Sequence, residues 1–279
     1  MLVAPQTSKL ITAGAVTSGG TSGTTVTSGS ANVKGSWTTL LDPIPSNFHA
    51  LHLFLDTPSA TRNSVDIAIG NAGGGSERII ISDYWFAQRV SACGHHVRYP
   101  IGGPPGGSLR ARLQTTSASA TLGVTCYLES GSLAWSPRPM VRAKGYGVAL
   151  SGVTQGQNVD PGGTAHTKGA YTEIVAATDY PITAWYLHVG LTQGVTTPTY
   201  PANYNWLIDV AVGGAGSEIV IVPDILMGAD TAGDFIQSPV IGPFFVPIPA
   251  GSRIAVRAQA SVISDATYRK FDATIMGLR

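Results

Sequence analysis

Apolar and polar residues alternate with period two in short blocks along the chain. Leu51, Leu53 and Leu55 share one face of such a block, and Val65, Ile67 and Ile69 oppose Asp66 and Ala68 in the next. Ile208, Val210 and Val212 oppose Asp209 and Ala211 in the same way, and Leu109, Ala111 and Leu113 alternate with Arg110 and Arg112. Half-buried strands need this pattern, because successive side chains point to opposite faces. A slip of one residue would turn every apolar side chain outward, so register is strongly specified. Between the blocks lie turn-forming stretches: NAGGG from Asn71, IGGPPGG from Ile101, TPTYPAN from Thr197 and PIPAGS from Pro247. No window longer than two turns carries a capped 3.6-residue apolar stripe.

The blocks also repeat. The stretch from Gly35 (GSWTTLLDPIPSNFHALHLFLD) matches that from Gly169 (GAYTEIVAATDYPITAWYLHVGL), pairing Trp37 with Tyr171, Leu51 with Trp185, Leu53 with Leu187 and Leu55 with Val189. VDIAIG from Val65 matches IDVAVG from Ile208, and GGGSERIIISD matches GAGSEIVIVPD, aligning Glu77 with Glu218 and Asp83 with Asp224. GGSLRARLQ, ending at Gln114, matches AGSRIAVRAQ, ending at Gln259. The spacing changes only between blocks, as when loops lengthen or shorten between fixed strands.

The fold class expected is therefore all-β, as two tandem duplicated β-sandwich domains. A jelly roll of about eight strands each suits the spacing best, and an immunoglobulin-like sandwich is the alternative. The domains expected are 1–130, a linker at 131–145 containing two prolines, and 146–279. The Gly/Ser/Thr-rich segment from Thr12 to Ser30 reads equally as a first strand or as an arm that orders against a neighbour.

Composition narrows the function classes. The 279 residues are 43% hydrophobic and 12% charged, which is enough apolar material for a large core. Seventeen basic and sixteen acidic residues leave no basic footprint, so no nucleic-acid partner is expected. The start lacks a basic region followed by an apolar run, and no stretch approaches 18 uninterrupted apolar residues; neither a signal peptide nor membrane insertion is expected. Cys93 and Cys126 are too few for a disulfide framework and read as buried thiols.

Candidate chemistry is sparse. Cys93, Gly94, His95 and His96 suggest metal ligands, but a site needs three or four converging donors, so they read as a loop with two exposed histidines. Asp66 and Asp209, on outward strand faces, read as structural partners of Arg112 and Arg257, exposed pairs worth about 0.2–1 kcal/mol. There is no Gly-x-Ser-x-Gly elbow between a strand and a helix, and no glycine loop entering a helix. No catalytic residue, metal or cofactor is expected. Trp85, Phe86, Tyr200, Tyr204 and Trp206, with outward His52, Phe54, Tyr186 and His188, could make a protein interface or a sugar-stacking platform, or be covered by the protein's own loops. Asn63 stands where the first copy would repeat Trp206, which disfavours a duplicated sugar site.

FFVPIPAGSRIAVRAQAS, from Phe244 to Ser261, and IDVAVGGAGSEIVIVPDILMG, from Ile208 to Gly228, resemble tandem sandwich domains of tailed-bacteriophage virion structural proteins. The resemblance implies a non-enzymatic tail tip, baseplate or fibre component, made in the host cytoplasm and located in the virion. Homo-oligomerisation and contacts with other virion proteins would follow from it. The alternatives are a capsid decoration or head fibre protein, or a carbohydrate-binding module that contacts a host surface glycan.

Overall fold

The computed structural model describes residues 9–15, 17–18, 21–56, 58–60, 62–87, 95–131, 140–149, 156–190, 204–229, 240–263 and 269–279. Within these it is all-β. The strands are β1 (Lys9–Ala13), β2 (Thr17–Ser18), β3 (Thr21–Ser22), β4 (Thr24–Thr27), β5 (Thr38–Leu41), β6 (Phe48–Asp56) and β7 (Arg62–Gly70). Next come β8 (Arg78–Ala87), β9 (His95–Tyr99), β10 (Ser108–Thr115), β11 (Thr121–Ser130), β12 (Ala143–Tyr146) and β13 (Gln157–Val159). Then follow β14 (Thr172–Val175), β15 (Ala184–Gly190), β16 (Tyr204–Val212), β17 (Ile219–Ala229), β18 (Val240–Phe244), β19 (Ile254–Ala260) and β20 (Phe271–Leu278).

The chain forms two compact units, one of residues 1–82 and 90–143 and one of 83–89 and 144–279. In the first, β4 pairs with β11, β5 with β10, β6 with β9 and β7 with β8, giving sheets ordered β4-β11-β6-β9 and β5-β10-β7-β8. First pairs with last, second with second-last, and so inward: this is the strand order of an eight-stranded jelly roll. The second unit repeats it as β13-β20-β15-β18 and β14-β19-β16-β17. An immunoglobulin sandwich has a different strand order, so the chain is a tandem of two jelly-roll β-sandwiches.

The ambiguous N-terminal segment holds strands. β1 and β4 lie end to end along one edge of β11, with Lys9 opposite Ser130 and Thr27 opposite Thr121. Residues 132–139 of the expected linker lie outside the described residues, and β12 begins at Ala143.

Each core sits between the two sheets of its unit. Leu51, Leu53, Leu55, Val65, Ile67, Leu109, Leu113, Leu122, Val124 and Leu128 are fully buried in the first. Trp185, Leu187 and Val189 meet Ile208, Val210, Ile254, Val256, Phe271 and Ile275 in the second. Each such large side chain contributes about 1.5–3 kcal/mol by leaving water, which is why the period-two pattern decides the fold. Cys126 lies within the first core, and burial pushes its thiol pKa well above the ordinary range.

Candidate functional site

The recurring carboxylates organise each unit. In the first, Arg112 on β10 stands opposite Asp66 on β7 and donates to it at 2.8 Å; Lys34 also pairs with this carboxylate. The Arg112 guanidinium lies 4.5 Å from the centre of the Trp37 ring. In the second, Arg257 stands opposite Asp209 and donates at 2.9 Å, Lys168 pairs with Asp209 at 2.6 Å, and Arg257 lies 4.6 Å from the Tyr171 ring. Lys168 also reaches Asp224 at 2.9 Å. The same four-part cluster of lysine, aspartate, arginine and aromatic ring is thus built twice from aligned positions.

These pairs are not the exposed ones expected from sequence. Asp66 is 0% and Asp209 3% exposed, because each cluster's own basic side chains lie against the outward-facing carboxylate. Lys168 and Arg257, with the Asp224 backbone N–H, overcome the cost of burial and hold the Asp209 pKa below its usual value. Every strong donor is engaged inside its cluster, so the arrangement is structural.

The aromatic candidates divide. Trp85, Phe86 and Trp206 are each 1% exposed, so none can present a ring to a partner. Trp206 shares the parity of Ile208 and Val210, which turns it into the core, where its indole N–H donates to the Arg269 carbonyl at 2.8 Å. Tyr200 and Cys93 lie outside the described residues, as does the side chain of Tyr204. Tyr186 and His188, read as outward, are 6% and 0% exposed. Within the second unit Trp85 packs over Gly190, where a Cβ would stand 1.7 Å from the indole Cη2, and its carbonyl meets His188 Nδ1 at 3.0 Å. His95 and His96 are not in a loop either: both lie on β9, and alternation buries His95 and exposes His96. Among the described residues no group of three or more His, Cys, Asp or Glu is placed to hold a metal ion. No described helix is long and apolar enough to cross a membrane.

The surface that does combine rings with polar groups was missed as a unit by sequence reasoning. It lies on the outer face of the first unit's β1-β11-β6-β9 sheet. His52 and Phe54 come from β6, His96 and Arg98 from β9, Tyr127 and Glu129 from β11 and Leu10 from β1. Register sets His52 opposite both Tyr127 and Arg98, and Phe54 opposite His96. Phe54 stacks on His96 with ring centres 4.2 Å apart, His96 lies parallel to His52 with centres 5.2 Å apart, and Tyr127 meets Phe54 edge-on at 5.1 Å. Leu10, His52, Phe54 and Tyr127 frame a depression of about 170 Å³.

A fixed polar chain runs beside these rings. Arg98 grips Glu129 with two N–H groups, at 2.8 Å each. His52 Nε2 contacts Glu129 Oε1 at 2.5 Å, and His49 Nε2 contacts Oε2 at 3.2 Å. His52 Nδ1 and His96 Nε2 are 2.9 Å apart. With neutral rings one tautomer set satisfies every contact: His96 donates to His52, and His52 donates to the carboxylate. Arg98 above all, then His52, draws the Glu129 pKa down to about 2 against the opposing effect of burial, so the carboxylate is anionic at any ordinary pH. Burial, aided by His52, lowers the His96 pKa and keeps that ring neutral at pH 7.

No protein-family model and no curated protein matches the chain. Among solved structures, it is similar to the N-terminal CBM22-1-CBM22-2 tandem domain from Paenibacillus barcinonensis Xyn10C, at 9% identity and a TM-score of 0.27 over 98% of this chain and 92% of the other. It is also similar to PNGF-II, at 8% identity and a TM-score of 0.32 over 91% of this chain and 64% of the other. At these scores neither likeness bears on function.

Proposed function

We propose that this chain is a non-catalytic glycan-binding protein whose first unit takes a sugar ring on the outer face of the β1-β11-β6-β9 sheet. The observation that carries this reading is the depression framed by Leu10, His52, Phe54 and Tyr127, with the Arg98–Glu129–His52 chain along its rim. A pyranose has an apolar C–H face and a rim of hydroxyls, and this surface offers an apolar aromatic floor beside polar groups already locked in place. Groups fixed before binding lose little freedom when a ligand arrives. At the aligned positions of the second unit, Tyr186 and His188 are buried.

The test is a glycan array probed with the whole chain and with the Phe54→Ala/Tyr127→Ala double variant. Binding of a defined glycan class that the variant loses while keeping its melting temperature supports the reading. Undiminished binding by the variant overturns this surface as the site.

A second reading, a virion structural protein acting through assembly, is favoured by Ile219 and Phe245, both 67% exposed on the second unit. Large apolar side chains left in water are suited to contact with another subunit. Light scattering after size exclusion tests it: a discrete trimer or hexamer supports assembly, and a monodisperse monomer counts against it. The two readings are compatible if the chain is the host-attachment part of a particle.

A further inference from the structure

We infer that the second unit carries its own binding groove for an uncharged saccharide, on the outer face of the β14-β19-β16-β17 sheet. The inference rests on the reading of the chain as a glycan binder, but it uses different residues, a different sheet and a different chemistry from the first unit's platform.

The groove, about 460 Å³, is lined by His166, Asn205, Leu207, Leu226, Gln259 and Ser261. Three of these form one row across the sheet, Leu226 on β17 opposite Leu207 on β16, and Leu207 opposite Gln259 on β19. Two residues further along β16, Asn205 stands opposite Gly228, which brings no side chain to the groove. The Ser261 hydroxyl is fixed, accepting from the Asn205 backbone N–H at 3.0 Å. Two leucines therefore make the floor, and two carboxamides, a hydroxyl and an imidazole make the wall.

The chemistry selects the occupant. None of the described lining residues is an acid, a lysine or an arginine, and Lys168, which reaches the Leu207 carbonyl at 3.0 Å, is also held by Asp209 and Asp224. An anionic ligand would find no lysine or arginine among the described lining residues, while a neutral polyol finds donors and acceptors together. A carboxamide offers an acceptor oxygen and two donor N–H groups, a combination that satisfies adjacent hydroxyls, each of which donates and accepts. Exposed Leu226 and half-buried Leu207 match the C–H face of a sugar ring.

The duplication supplies the control. In the first unit Gln114 aligns with Gln259 and Asn32 with His166, and there the Gln114 amide donates to the Asn32 carbonyl. That carboxamide is occupied internally. In the second unit the Asn205 and Gln259 side-chain amides have no hydrogen-bond partner among the described residues, and the groove between them is open.

The experiment titrates the whole chain with neutral gluco-, galacto-, manno- and N-acetylglucosamine oligosaccharides, following the side-chain NH₂ signals of Asn205 and Gln259 by NMR and the stoichiometry by calorimetry. It is repeated with Asn205→Ala/Gln259→Ala, with His166→Ala, and with the Phe54→Ala/Tyr127→Ala platform variant. The expected result is saturable shifts of both NH₂ signals with at least one of the sugars, a tenfold or greater loss of that site in the groove variants, and its persistence in the platform variant. Loss only in the platform variant, or NH₂ signals unmoved by any of the sugars, overturns the groove while leaving the platform standing. Persistence of the NH₂ shifts when the platform variant binds like the unmodified chain overturns the platform alone.

Discussion

Asp66 and Arg112 face each other across the β7–β10 ladder, and the Arg112 guanidinium donates to the fully buried Asp66 carboxylate at 2.8 Å. Asp209 and Arg257 do the same on β16 and β19. Removing one member of a buried pair strands the other, and such losses run to about 3–5 kcal/mol. Asp66→Ala leaves two cations, Lys34 and Arg112, against a buried vacancy. We expect it to lower the unfolding free energy of its unit, measured by urea titration, by an amount in that range. Lys34→Ala should cost less, since Arg112 still neutralises the carboxylate.

Gly190 is fixed by its neighbour. A Cβ there would stand 1.7 Å from Trp85 Cη2, in a site where the indole is 1% exposed and cannot swing aside. Gly190→Ala should destabilise the second unit by about 1–3 kcal/mol or more through overpacking. The same substitution in a Trp85→Leu background should be milder than the sum of the two single changes, because the clashing ring is gone. A thermal-melt double-mutant cycle measures the difference, and strict additivity would show that the two positions are not in contact.

How far this was legible beforehand depends on whether the information is local. Alternation placed Leu51, Leu53 and Leu55 in the core and the internal repeat predicted two sandwiches, because period and order are properties of a single stretch. The parity of Trp206 with Ile208 and Val210 also pointed inward, and its aromatic character misled. Trp85 is different: β8 begins in the first unit and its residues from Asp83 onward belong to the second, which no local pattern signals. The outward parity of His52 and Phe54 could be read. Their partners His96, Tyr127 and Glu129 come from β9 and β11, and only the jelly-roll strand order brings those strands beside β6. The alternation of Tyr127 and Glu129 against Cys126 and Leu128 was the available clue. The groove on β16 and β19 escaped because its decisive feature is whether an amide is engaged: Gln114 of the aligned copy is closed onto Asn32, whereas Gln259 here has no hydrogen-bond partner among the described residues.

His188 makes the second unit sensitive to acid. It is fully buried, its Nδ1–H donates to the Trp85 carbonyl, and its Nε2 has no partner among the described residues. Burial drives its pKa down to about 4, with the Trp85 carbonyl acting weakly the other way. The unfolded chain takes up this proton below about pH 6.5, whereas the folded chain resists until about pH 4, so stability falls with pH across that window and then levels off. The loss from this residue amounts to about 3 kcal/mol when the whole window is crossed. His188→Leu removes the titration, so its urea midpoint should change less between pH 7 and pH 5 than that of the unmodified chain. An equal pH slope in both would assign the acid sensitivity elsewhere.

The first unit's platform allows separate tests of its floor and its rim. Phe54 and Tyr127 meet edge-on at 5.1 Å, and each ring contributes packing of its own to any sugar seated in the depression. Ring contacts of this kind are worth about 0.5–1.5 kcal/mol, so Phe54→Ala or Tyr127→Ala alone should weaken glycan binding by roughly two- to tenfold. Arg98→Ala acts on the rim instead. It removes the two-pronged grip on Glu129 and frees that carboxylate to shift away from His52, so the hydrogen-bonding edge loses its fixed orientation while the floor stays intact. The floor variants should weaken every glycan the platform recognises to a similar degree, because each sugar has an apolar face. The Arg98 variant should instead narrow the difference between epimers, since hydroxyl geometry is read only at the rim. Calorimetric titration with a pair of epimeric sugars separates these outcomes, and equal effects of both kinds of variant on both epimers would show that the two parts do not divide the work.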